Sequence, residues 1–162
     1  MDSSFHNSAC DKLLELTENS YPGRGFILGV IPRYLVQIYW VGGRSEPSRN
    51  RILKIEDGVL KTEFADESKV KKDEDISLII YDAMIEDGNI FVVSNGRQTI
   101  DVIRCQDLAT GMDRWRYEPD KPSTPRITGV WTFQNHGPLA QISILHRSPF
   151  GSFCETPFIR IP

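Results

Sequence analysis

The sequence predicts an α+β domain of mostly antiparallel sheets with helices packed outside them. Three observations carry this. Apolar, β-branched runs come in adjacent pairs, two of them joined by hairpin dipeptides, Asp57-Gly58 and Asp87-Gly88. Helical patterns fall between groups of hairpins and do not follow each strand, which argues against a doubly wound parallel sheet. The chain has 162 residues, 40% hydrophobic and 25% charged, the make-up of one ordinary globular domain. We therefore read residues 1–162 as a single domain, with residues 1–20 as an N-terminal helical extension. The end at Arg160-Ile161-Pro162 reads as a strand left unfinished, a C-terminus cut short.

The elements follow in order. Ser8 can cap an opening helix whose apolar side is Leu13, Leu14 and Leu16, and Asn19 to Gly23 stop it. Two strands follow, Gly25–Val30 and Leu35–Val41, and then a polar loop from Gly42 to Arg51. A hairpin pairs Ile52–Ile55 with Val59–Phe64. Residues 65–75 are nearly all polar and mixed in sign, and read as a solvated loop. A second hairpin pairs Leu78–Ile85 with Ile90–Val93 and ends at Asn95-Gly96. One helix is expected from Thr99 to Trp115, with Ile100, Ile103 and Leu108 toward the core. Pro119, Pro122 and Pro125 stiffen a connector. Strands Ile127–Phe133 and Leu139–His146 close the domain, with an extended piece near Pro157–Ile161.

Composition excludes several classes. No apolar run approaches the roughly 20 residues of a membrane span. Residues Met1 to His6 carry neither a basic region nor an apolar core, so the expectation is a cytoplasmic protein with no secretory signal. Cys10, Cys105 and Cys154 are scattered, and His6, His136 and His146 fall in no ligand spacing, so no metal and no cofactor is expected. The net charge is −3, which disfavours nucleic acid. Yet Arg outnumbers Lys by 12 to 7, and five Arg lie between Arg24 and Arg51. Arg grips phosphate and carboxylate in a fork. An acidic chain with a local Arg cluster points to a small anionic ligand.

Four segments can carry such chemistry. In the 42–51 loop, glycines let the main chain approach an anion, while Arg44, Arg49 and Arg51 with Ser45, Ser48 and Asn50 supply donors. The plain alternative is a solvated turn paired with nearby acids. Arg24 sits in a Pro-Gly-Arg-Gly bend, which is otherwise a simple helix-to-strand turn. Ser94 to Thr99 joins a strand to a helix start, where Asn95 can offer both donor and acceptor to a polar ligand edge or can merely shape the turn. In the connector, Glu118 is a candidate general acid or base and Arg126 a candidate anion partner. A proline-stiffened surface linker is the plain alternative there. Tyr81, on composition alone, is a core aromatic.

Taken together and in this order, Tyr21-Pro22-Gly23-Arg24, Gly43-Arg44-Ser45 with Ser48-Arg49-Asn50-Arg51, Tyr81-Asp82, Val93-Ser94-Asn95-Gly96 and Ser123-Thr124-Pro125-Arg126-Ile127 resemble the archaeal-type IMP cyclohydrolase family and its bacterial relatives. Each motif is short; five in succession over residues 21–130 are specific. The resemblance implies a four-layer αββα sandwich like that of N-terminal-nucleophile hydrolases, used without a processed N-terminal nucleophile. It implies closure of 5-formamidoimidazole-4-carboxamide ribonucleotide to IMP with loss of water. It assigns Tyr81, Glu118 and Arg126 to catalysis. Arg24, Arg44, Ser45, Asn50, Arg51, Asn95 and Thr124 are assigned to the nucleotide. The chain departs from the family pattern at Trp40, before the Gly-Arg-Ser motif, and in its N-terminal extension. Two other classes stay open, a non-catalytic purine-nucleotide-binding relative and an amide hydrolase of the same fold. The partners expected are the ribonucleotide and a second copy of the chain in a homo-oligomer, with no nucleic acid and no membrane.

Overall fold

The computed structural model describes residues 23–70, 75–135 and 137–149, with 11, 14–19 and 21 and the main chain of 154–155 and 158–161. Ser8, Leu13, Pro22 and His136, named above, lie outside the described residues. Residues 14–18 are helical, within the expected extension.

Ten strands are described, all antiparallel to their neighbours. β1 (Arg24–Ile31) and β2 (Tyr34–Val41) form a hairpin of their own, in register from Arg24 opposite Val41 to Ile31 opposite Tyr34. The other strands are β3 (Arg51–Glu56), β4 (Val59–Phe64), β5 (Asp82–Asp87), β6 (Ile90–Ser94), β7 (Arg126–Gln134), β8 (Gly137–Arg147), β9 (Cys154–Glu155) and β10 (Phe158–Ile161). They build one sheet in the order β10-β8-β7-β6-β5-β4-β3, with β9 paired to β8. The domain is therefore α+β with antiparallel sheets, as the hairpin signals require. No helix among the described residues is long and apolar enough to cross a membrane.

Strand alternation places the sheet between two apolar layers. On one side Ile90, Val92, Val130 and Leu145 meet Val102, Leu108 and Met112 of the helices. On the other, Val93 belongs to a cluster with Tyr39, Tyr81 and Ala83, against which Phe26, Leu28, Leu60 and Met84 pack. The β1–β2 hairpin lies over this second face, where Phe26 covers Gly129 of β7. A Cβ at 129 would stand 2.5 Å from the Phe26 ring, so only glycine permits that approach.

Four elements differ from expectation. The single helix over 99–115 is two, α2 (Gln98–Cys105) and α3 (Leu108–Met112). Gln106 takes the left-handed conformation at φ 52, and Asp107 then caps α3 through Thr110 N. The buried face of α2 is formed by Gln98, Thr99, Asp101 and Val102, so Val102 and not Ile100 or Ile103 is its fully buried apolar anchor. The strand expected from Leu78 starts only at Asp82. Asp75 accepts from Ser77 N and winds residues 76–78 into a 3₁₀ turn. The Thr62 hydroxyl then bonds Ile79 O at 2.9 Å and receives Tyr81 N at 2.9 Å, taking the place of ladder partners. In the polar 42–51 loop Ser45 nucleates one helical turn, α1 (Glu46–Arg49), through a capping box with Ser48. Within the expected 65–75 loop, residues 67–69 form another 3₁₀ turn capped by Asp66.

Candidate active site

At the start of β1, Gly23 turns the chain at φ +72 and accepts Gly42 N at 2.6 Å, so the two ends of the hairpin are fastened together. Arg24 follows and reaches across to the proline-rich connector. Its Nη1 and Nη2 donate to Glu118 Oε1 and Oε2 at 3.0 and 2.7 Å, and Nη1 also donates to Asn95 O at 3.3 Å. The pair is buried, with the Glu118 side chain 3% exposed and that of Arg24 12%. Burial works against the Arg24 charge, but the hydrogen bond and the charge of Glu118 outweigh it and raise the guanidinium above its ordinary range; Tyr81 adds in the same direction.

The connector is shaped to present Glu118. Glu118 N bonds Thr124 O at 2.8 Å, closing a loop whose interior Asp120 fills by accepting Thr124 N at 2.7 Å and Thr124 Oγ1 at 2.5 Å. Ser123 takes φ 55 to complete it. Behind Glu118 stands Arg126, its Nη1 3.8 Å from Oε1. Arg126 lies over the Trp115 ring at 4.7 Å and donates to Arg116 O and to Gln98 Oε1. Burial, together with the nearby Arg24 charge, lowers the Arg126 guanidinium from its ordinary value, with Glu118 and Asp120 opposing. Two cations thus flank one carboxylate, and the floor carries a net positive charge.

Above this floor opens a cavity of about 650 Å³, within the usual range for small-molecule sites. One wall is the 42–51 loop with Gly42, Arg44, Ser45, Ser48 and Arg51; the other is the connector with Asp120, Lys121, Pro122 and Thr124. Gly43 has to be glycine, because a Cβ there would overlap the Ser48 main chain. Arg44 stacks on Tyr21 at 5.5 Å. Arg51 donates to Ser48 O, Gly42 O and Ile79 O, which fixes its direction without neutralising its charge.

Seven residues singled out from sequence meet at this cavity: Arg24, Arg44, Ser45, Ser48, Arg51, Glu118 and Thr124. Arg49 does not line it and donates from Nε to Gly43 O within the loop. The other four do not line it either. Arg126 stands beside Glu118, and Tyr81 is buried beside Arg24, its hydroxyl 2.7 Å from that of Tyr39. Asn50 turns its amide to Asp66, donating to its O and accepting its N, and so ties the loop end to residue 66. Asn95 donates to Pro125 O and accepts from Ile127 N and Gln98 Nε2, which locks the end of β6 to the start of β7. Sequence reasoning missed Asp75, Ile79, Asp120 and Lys121 as lining residues, and Gln98 and Tyr39 as buried partners. Tyr39 alone had a usable signal. Period-2 alternation along β2 sets it on one face with Gln37 and Val41, opposite Phe26.

The fold and this cavity define a class: an α+β domain whose cavity is lined by arginine, serine and a buried carboxylate. The model of the IMP cyclohydrolase-like protein family matches residues 21–151, and the chain belongs to that family. No individually curated protein matches it.

Proposed function

We propose that the chain is a purine-biosynthetic cyclohydrolase that closes 5-formamidoimidazole-4-carboxamide ribonucleotide to IMP. The observation that carries this is the buried Arg24–Glu118 pair at the floor of an arginine-walled cavity, in a member of this family. A carboxamide nitrogen is a poor nucleophile. The site has to hold it against the formyl carbon, polarise the formyl oxygen and move two protons. Arg44, Ser45 and Arg51 receive the 5′-phosphate on a loop that Asn50 anchors. Asn95 steadies Arg24 through its carbonyl and holds the start of β7 through its side chain, so it serves the nucleotide from behind the cavity. Thr124 holds the connector against the ribose. Glu118 takes a proton from the attacking nitrogen, and Tyr81 gives one to the formyl oxygen. Arg126, with Arg24, steadies the negative charge that develops. The two apolar layers around the sheet suit the four-layer sandwich that the resemblance implies, with further helices over the hairpin. We infer a cytoplasmic homo-oligomer.

One observation favours a second reading, a purine-nucleotide-binding relative without turnover. Tyr81 does not line the cavity. Following IMP formation by absorbance with the purified protein separates the two. The cyclohydrolase reading expects turnover, with Tyr81→Phe and Glu118→Gln each about 10² to 10⁴ slower, the size of a general acid–base contribution. IMP binding with no turnover in the wild type establishes the second reading.

A further inference from the structure

Tyr39 lies on β2, outside every motif that marks the site. Its hydroxyl stands 2.7 Å from the Tyr81 hydroxyl, and the rings are 8% and 5% exposed. Around Tyr39 the cluster is otherwise apolar, made of Phe26, Leu28, Val41 and Leu60. Among the described residues Tyr81 is the one hydrogen-bond partner of this hydroxyl. That fixes the direction of the bond. If Tyr81 donated, the Tyr39 proton would be left buried without an acceptor, and a buried unmade donor is costly. If Tyr39 donates, the proton left over is that of Tyr81, which stands beside Arg24 at the edge of the site, where an oxygen of the bound substrate can accept it.

We propose that Tyr39 is a positioning residue for the cyclisation: its hydroxyl donates to the Tyr81 oxygen and so turns the Tyr81 proton toward the Arg24 side. This rests on the proton role given to Tyr81 above. As the carboxamide nitrogen bonds to the formyl carbon, the Tyr81 O–H bond breaks. Its proton passes to the formyl oxygen, and the electron pair stays on Tyr81, beside the Tyr39 O–H and the Arg24 charge. The proton of the attacking nitrogen goes to Glu118. When the resulting carbinolamine loses its hydroxyl, Glu118 returns that proton to the leaving oxygen, which departs as water. Tyr81 takes back a proton from the former formamide nitrogen, and both side chains end as they began. The groups acting on Tyr39 are Tyr81, Arg24 and Arg51. Burial is the largest influence and pushes the Tyr39 hydroxyl well above the ordinary phenol range, so it remains a donor at neutral pH.

The test is steady-state kinetics on the full chain with the formylated ribonucleotide. Tyr39→Phe should lower kcat about tenfold or more, the worth of a hydrogen bond to a developing charge, and leave KM within about twofold. The double variant Tyr39→Phe/Tyr81→Phe should be no slower than Tyr81→Phe alone, because Tyr39 acts through Tyr81. Placing 4-aminophenylalanine at 39 restores a donor and should recover most of the lost kcat, including where Tyr39→Phe weakens the fold. Unchanged kcat in Tyr39→Phe overturns the inference and leaves the cyclohydrolase reading standing. So does a loss that multiplies with Tyr81→Phe, or one that the amino analogue fails to repair. Absence of turnover in the wild type overturns both.

Discussion

Arg24 and Glu118 are 94 positions apart, and the fold brings them together as a two-pronged ion pair away from water. Such a pair is weak evidence for stability when intact, because desolvation offsets much of the attraction, but breaking it strands a buried charge. Glu118→Gln should therefore cost about 3 kcal/mol in urea unfolding as well as turnover. A matching loss in Arg24→Gln would place both on the same bond; Glu118→Gln at wild-type stability would show that the pair is open to water. Tyr39 gives a prediction in pH. Its folded-state value is raised, chiefly by burial, so its contribution to stability is complete below the ordinary phenol range near 10. Above that range the unfolded chain releases the proton first and stability falls. Between pH 9 and 11 the urea midpoint of the wild type should drop more than that of Tyr39→Phe; equal drops would remove Tyr39 as the cause. The site was legible in sequence where a motif carries unusual chemistry, as in the arginines of the 42–51 loop. Gln98 was not, because a buried polar partner looks in sequence like any helix start; for Tyr39 the alternation of β2 gave its face but not its hydroxyl partner.

The element that shapes the cavity is small. Ser45 closes both halves of a capping box with Ser48, and without it the one-turn helix has nothing to satisfy its first amides. Ser45→Ala should cost about 1 kcal/mol and weaken nucleotide binding together, since Arg51 takes its direction from Ser48 O and Gly42 O in the same loop. Calorimetric titration with IMP reads the second effect. Unchanged affinity at reduced stability would show that the cap serves the fold alone. The hairpins were readable because Asp-Gly turns and alternation are local signals, and Asp57 and Gly58 do take positive φ. The errors at Leu78 and Gln106 have tertiary causes. The Thr62 hydroxyl captures the main chain of residues 79 and 81, and Val102 meets Gly111 so closely that the helical stretch has to turn back on itself. Thr62 is distant in sequence, and the Val102–Gly111 contact forms only once the chain has turned, so neither break could be seen from the apolar pattern.

Across the whole molecule, the geometry of the cavity floor depends on how a two-stranded hairpin seats on an eight-stranded sheet. Arg24 and Tyr39 ride on the hairpin, whereas Glu118, Asn95 and Arg126 belong to the sheet side. The contacts that set the distance between them include Phe26 over Gly129 and the Trp131 indole N–H donating to Val36 O at 3.5 Å. Gly129→Val puts a branched side chain where the Phe26 ring lies. Overpacking of this kind costs about 1–3 kcal/mol, and here it also lifts Arg24 off Glu118. Stability and IMP affinity should thus fall together, although residue 129 touches neither the cavity nor Glu118. Gly88→Ala is the control. Residue 88 holds φ +61 with nothing within 4 Å of a new Cβ, so the cost is local backbone strain of about 1 kcal/mol and affinity should be kept. If Gly129→Val loses stability but binds IMP as the wild type does, the hairpin does not set the site geometry, and the ligand is held by the 42–51 loop and the connector without it.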